Sequence, residues 1–163
     1  MKIRSTTNPS LYDFSEPFSM ITNLTSVTIA TVPTGRAVTV DGTNYTSPAV
    51  FNWLPNSSHT VDTASPQVAG DGQSRYLFAS WSDGGPQSHS ITVPFTTTNC
   101  TATFSTQYLL DIIATPAGGG TVSNNPAGPW YASNQLVSLT ANGNPCYVLS
   151  SWGGVDSPSG NTA

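Results

Sequence analysis

Apolar and polar residues alternate over short stretches along most of the chain, as in Cys100, Ala102 and Phe104 against Thr101 and Thr103. A period of two puts one set of side chains on one face of an extended strand. Eleven strands are predicted on this basis. The first seven are Val27 to Val32, Ala37 to Val40, Ala49 to Leu54, His59 to Thr63, Arg75 to Trp81, His89 to Val93 and Cys100 to Phe104. The other four are Leu109 to Ala114, Gly120 to Ser123, Leu136 to Thr140 and Tyr147 to Trp152. Helical spacing occurs once, at Leu11, Phe14, Phe18 and Ile21, and Pro17 interrupts it. Between strands, Asp41-Gly42, Asp71-Gly72 and Asp83-Gly84-Gly85 supply the positive-φ residues of tight turns. The fold class expected is all-β.

The strand plan is written twice. Ile29-Ala30-Thr31 before Pro33 corresponds to Ile113-Ala114-Thr115 before Pro116, and Tyr76 through Ser80-Trp81 corresponds to Tyr147 through Ser151-Trp152. Tandem small antiparallel β-sandwich modules follow from this. Residues 27–106 form the first module and 107–163 the second, with 1–26 an irregular leader or the end of a preceding module. After Trp81 the first copy continues to Thr101-Ala102-Thr103-Phe104, and nothing after Trp152 matches that stretch. The second module is therefore expected to be incomplete, with an unpaired sheet edge. That edge would accept a strand from a neighbouring chain or from Ser19 to Ser26, giving strand-complemented self-association. Because 106–108 holds neither Pro nor Gly, the junction is expected to be short and stiff.

Charge narrows the function. Four Lys plus Arg stand against eight Asp plus Glu, the net charge is −4, and no basic stripe exists to neutralise a phosphate backbone. Nucleic acid is not an expected partner. Charged residues make up 7% of the 163, while 22 Ser and 23 Thr carry the solubility. No apolar run approaches the ~20 residues of a membrane span. This hydroxyl-rich, Lys-poor composition favours an extracellular or cell-surface setting.

Candidate chemistry reduces mostly to architecture. Glu16 is the only Glu, and Asp41, Asp71 and Asp83 each precede Gly in a turn, so no facing carboxylate pair suits glycoside hydrolysis. His59 and His89 are expected at the edge of a core face, one ring nitrogen satisfied by a hydroxyl or carbonyl. No Gly-x-Ser-x-Gly elbow is present, and His59, His89, Cys100 and Cys146 lack the spacing of a structural zinc site. No catalytic, metal or cofactor residue is assigned. Parity turns Cys100 and Cys146 inward. Two buried free thiols in separate cores are expected, the alternative being a disulfide worth ~4 kcal/mol for a loop of about 46 residues. Trp81 and Trp152 read as repeated core plugs. Trp53, Trp130 and Tyr131 are the candidates for stacking on sugar rings, against packing in the core or between modules. The sequons at Asn23, Asn44, Asn56 and Asn99 match the number chance provides, and Lys2, the only Lys, sits too near the terminus for an isopeptide staple.

Val38-Thr39-Val40-Asp41-Gly42-Thr43, Phe51 with Trp53, Ser58-His59-Thr60, Tyr76-x-Phe78, Trp81-Ser82-Asp83-Gly84-Gly85 and Thr101-Ala102-Thr103-Phe104 together resemble the divergent internalin B-repeat family of bacterial surface proteins. Gly119-Gly120-Thr121-Val122, Trp130-Tyr131 and Leu139-Thr140-Ala141 through Trp152 resemble the start of another copy. The resemblance implies an extracellular β-repeat used as a spacer or adhesin stalk, not an enzyme. Neighbouring repeat modules would be its partners, and it brings no catalytic residues. The alternative function is a carbohydrate-binding accessory module of a secreted hydrolase, with glycans as partners.

Overall fold

The computed structural model describes residues 3–4, 12–13 and 23–154. Fourteen strands and no helix occur among them. The helical spacing from Leu11 to Ile21 falls outside the described residues except at Tyr12–Asp13, which is strand β2 and pairs antiparallel with β1 (Ile3–Arg4).

Residues 25–104 build a two-sheet sandwich. Its strands are β3 (Thr25–Val32), β4 (Ala37–Val40), β5 (Thr43–Thr46), β6 (Ala49–Trp53), β7 (Ser58–Asp62), β8 (Gln67–Val68), β9 (Ser74–Trp81), β10 (His89–Thr92) and the first half of β11 (Thr98–Leu109). One sheet has the order β10-β7-β4-β5 and the other β6-β3-β11-β9-β8. Alternation does the work in β3, where Thr25, Val27, Ile29 and Thr31 are buried and the residues between them are not. Val27 and Ile29 meet Val38, Val40 and Val61 of the opposite sheet, with Trp81, Val93, Cys100, Ala102 and Phe104 completing one core. The buried hydroxyls of β3 find partners, Thr25 Oγ1 donating to Pro94 O and Thr31 Oγ1 to Pro33 O, each at 2.8 Å.

The sandwich is not wholly antiparallel. β3 and β11 pair parallel, from Thr98↔Val27 to Thr103↔Val32, while β9 pairs antiparallel on the other edge of β11. Parallel pairing needs a long crossover, and here the whole second sheet lies between the two strands in sequence. The expected Asp-Gly turns form. Asp41 and Gly42 take φ values of 48° and 79° in the β4–β5 hairpin, where Val40 pairs with Thr43. β5 escapes sequence patterning because all four of its residues are exposed, and the turn, the β4 ladder and the edge-on contact of Tyr45 with Phe51 hold it.

Beyond Phe104 the structure adds β12 (Gly120–Asn125), β13 (Trp130–Ala132) and β14 (Ser138–Gly143), β12 and β14 pairing antiparallel. Two predicted strands are absent here. Residues 110–114 and 147–152 belong to no ladder, and the strand expected from Leu136 begins at Ser138, leaving Leu136 91% exposed. The reason is topological. In the first module the equivalents of both segments, β3 and β9, flank β11, and no described strand stands in the equivalent place between these two. Trp152, matched to Trp81 by sequence, therefore lies outside any strand.

Candidate functional site

β11 is the element that strands from both duplicated stretches of sequence pair with. β3 occupies one edge of it as far as Thr103, and β13 takes that edge from Gln107 to Leu109. The opposite edge carries β9 from Ala102 to Tyr108, with a bulge between Thr103 and Phe104. Residues 106–108, expected as a stiff junction, are thus flanked by a strand of each module.

The register explains the sharing. Thr25 stands four residues before Ile29 and pairs with Trp53; Leu109 stands four before Ile113 and pairs with Trp130. By register, the end of β11 thus stands where β3 begins in the first stretch. Side chains clamp the same place. The Arg75 guanidinium lies 4.8 Å from the centroid of the Trp130 ring, and its Nε donates to Gln107 Oε1 at 2.8 Å. Leu109 N–H donates to Gln73 O and Leu110 N–H to Pro129 O. Tyr131 is buried, its hydroxyl donating to Pro126 O at 2.9 Å and accepting from Asn124 Nδ2.

Of the three candidates for sugar stacking, Trp130 and Tyr131 thus form the junction. Trp53 lies in an aromatic row, stacked on Phe51 at 4.6 Å and on His59 at 3.8 Å. All three rings spend contact area on protein neighbours. The two cysteines are free. Cys100 is buried as parity indicates, and burial, with Asp83 beside it, pushes its thiol up to about 12. Cys146 corrects the parity reading: it is exposed, at a φ of 72°, because its segment turns after β14 instead of extending as a strand.

Each histidine pairs with a turn aspartate. His59 Nδ1–H donates to Asp41 Oδ2 at 2.7 Å, while its Nε2 lies 3.0 Å from Ser57 Oγ. Asp41 Oδ1 accepts from Thr60 N–H, so this aspartate ties its turn to the neighbouring strand and not to its own backbone. His89 Nε2–H donates to Asp83 Oδ2 at 2.9 Å, with Nδ1 2.7 Å from Pro86 O. A carboxylate and a carbonyl only accept, so both bonds to His89 form together only when the ring carries two protons. Sequence reading found the hydroxyl and carbonyl partners but missed the carboxylates, which a turn assignment had already used. The signal was available: Asp83 and His89 bracket a Gly-Gly-Pro turn.

Ser57, His59 and Asp41 stand in the order of a hydrolytic relay, yet the surroundings serve a turn. Ser57 Oγ and Ser57 N–H both bond Leu54 O, at 2.6 and 3.1 Å, and Asn56 N–H donates to Val93 O. The N–H groups next to the hydroxyl are spent, whereas acyl transfer needs them aimed at an oxyanion. Among the described residues, no three His, Cys, Asp or Glu gather in a group that could hold a metal ion.

The hydrogen bond from His59, then that from Thr60 N–H, holds the Asp41 carboxyl below its usual 3.8. Burial pulls Asp83 up, but the bonds from His89 and Gly85 N–H outweigh it and leave this carboxyl low too. Such groups stabilise the fold above the unfolded value. As pH falls below 3.8, the unfolded chain takes up protons that the folded chain still refuses, and the contribution disappears once pH passes the depressed folded values. With their carboxylates half-exposed, each pair is worth no more than about 1 kcal/mol. Denaturant midpoints measured from about pH 5 to pH 2 should fall, and the D41N/D83N double variant should show a flatter decline. An equal slope in both proteins would refute the assignment.

Residues 110–163 match the family model of the divergent InlB B-repeat domain. No curated protein and no solved structure matches the chain. The family resemblance read from Gly119 through Trp152 is thus shown for the second module, where the ladders are fewest.

Proposed function

We propose that the chain is a non-catalytic repeat unit of a bacterial surface or secreted protein, acting as a stiff spacer or adhesin stalk. One observation carries this: β11 belongs to both modules, so a main-chain ladder joins them where a linker would otherwise be. Twelve residues at about 3.3 Å each carry it roughly 40 Å, from the end where Thr25 pairs with Trp53 to the end where Leu109 pairs with Trp130. Thr98 and Leu109 thus set entry and exit at opposite ends of one strand. Low charge and hydroxyl-rich faces suit a spacer that must not attract partners of its own.

Amide residual dipolar couplings test the stiffness. Couplings from 25–104 and 120–143 are expected to fit a single alignment tensor, and two independent tensors would overturn the stalk reading. The second reading, a carbohydrate-binding accessory module of a secreted hydrolase, is favoured by Trp130, which lines a shallow depression with Arg75, Gly128 and Pro129. Titration with a panel of soluble glycans separates the two. Saturable change in tryptophan fluorescence, lost in W130A, supports sugar binding; a flat response across the panel supports the spacer.

A further inference from the structure

We propose that the depression beside Trp130 is a subsite for a single uronic acid residue of an otherwise neutral glycan, its carboxylate held by Arg75. The register puts the residues concerned on one face. Val68 pairs with Arg75, Arg75 with Gln107 and Gln107 with Ala132, and residues paired across a ladder stand on the same side of a sheet. Leu109 and Trp130 form the next pair on that side, while Tyr131, between Trp130 and Ala132, is buried on the other. Three strand spacings of about 4.8 Å make the row from Val68 to Ala132 ~14 Å wide, an open platform and not an enclosed pocket.

Arg75 is fixed on this platform at two points. Its Nε–H donates to Gln107 Oε1 at 2.8 Å, and its guanidinium carbon lies 4.8 Å from the centroid of the Trp130 ring. That leaves the two terminal nitrogens, whose N–H groups match the two oxygens of a carboxylate. No carboxylate among the described residues takes them: the ion pairs there are the two histidine–aspartate pairs, and Asp71, the acid nearest in sequence, accepts from Gln73 N–H in its own turn. Ala127, Gly128 and Pro129 complete the lining, so Arg75 is its only charge. Gln107 spends its Oε1 on Arg75 and keeps its Nε2–H groups for a hydroxyl. Apolar ring surface, an amide donor and a guanidinium fork are partners for the C–H face, the hydroxyls and the carboxylate of a uronate. The net charge of −4 limits the carboxylates to one, because this protein repels a polyanion far more than an isolated acid.

This inference rests on the carbohydrate-binding reading of the same depression and adds the charge of the ligand. The probe is a xylose oligosaccharide carrying one glucuronic acid branch, compared with the same oligosaccharide after reduction of its carboxyl group to the alcohol. Titrated into the full chain, the acidic form should give a saturable change in tryptophan fluorescence, and the reduced form should bind at least about tenfold more weakly, the loss of one charge-assisted bidentate contact. The preference should shrink in molar salt and vanish in Arg75→Gln, which is expected to bind both forms alike. Equal binding of the two forms by the unsubstituted chain would overturn the inference and leave sugar binding standing, and this comparison needs no variant to fold. A response only to neutral glycans of the wider panel would do the same, whereas silence across the panel would overturn both. Undiminished preference in Arg75→Gln, or an equal response to sodium acetate at the same carboxylate concentration, would also overturn it.

Discussion

Trp81→Ala is expected to cost the first module about 3–5 kcal/mol, much of the roughly 4–12 kcal/mol that eighty residues ordinarily provide. Trp81 is 3% exposed at the end of β9, opposite Ala102. Its ring lies 6.2 Å from Phe78 and 5.7 Å edge-on from His89, and its Nε1–H donates to Gln87 O at 2.9 Å. Truncation loses the apolar transfer energy, opens a cavity at the end of the core and frees His89 on one side. The small residue opposite, Ala102, cannot refill that space. Trp81→Phe separates the parts: most of the ring contact survives, while Gln87 O loses its donor, for about 1–3 kcal/mol. Denaturant unfolding should show the midpoint falling in the order wild type, W81F, W81A with constant slope. A W81A midpoint within 1 kcal/mol of wild type would show that Trp81 is not part of the core.

Why the first module was legible and the second only half so comes down to where apolar periodicity is used. In β3, β4, β9 and β11 alternation coincides with burial against a facing sheet, and the predicted strands fall within two residues of the observed starts. β5, β8 and β13 carry too little alternation to read, being short or exposed and positioned by a turn or a neighbour. The segments 109–114 and 147–152 fail for the opposite reason. Their patterns are strand patterns, as the match to β3 and β9 shows, but a strand is a pairing, and among the described residues no strand lies beside them. Sequence presented Trp130 and Tyr131 as candidates for stacking on sugar rings. Their role depends on β11 running past Phe104 to Leu109, which no local signal announces because Ser105, Thr106 and Gln107 are polar. The histidine–aspartate pairs were hidden differently: each aspartate fits its turn well enough to look fully explained.

The second large effect concerns the junction, where Gly128 has no room for a side chain. A Cβ placed there would lie 2.1 Å from the Tyr131 ring and its hydroxyl oxygen. Tyr131 cannot yield without cost, because it is buried, faces Tyr108 across the β11–β13 ladder and bonds Pro126 O. Gly128→Val must therefore drive the ring, and with it the three-residue strand β13, away from β11. Overpacking of this kind costs about 1–3 kcal/mol, as much as the whole ladder of three residue pairs holds when each cross-strand pair supplies about 0.2–1 kcal/mol. The first module meets this site through Arg75, outside its core cluster, so hydrogen exchange should stay slow in the core strands of 25–104 and become fast at Trp130–Ala132. The dipolar couplings should then divide into two tensors, because β13 is the second module's hold on the shared strand. If β13 keeps its protection in G128V and one tensor still fits both modules, the ladder at Leu109 is not what makes the junction stiff.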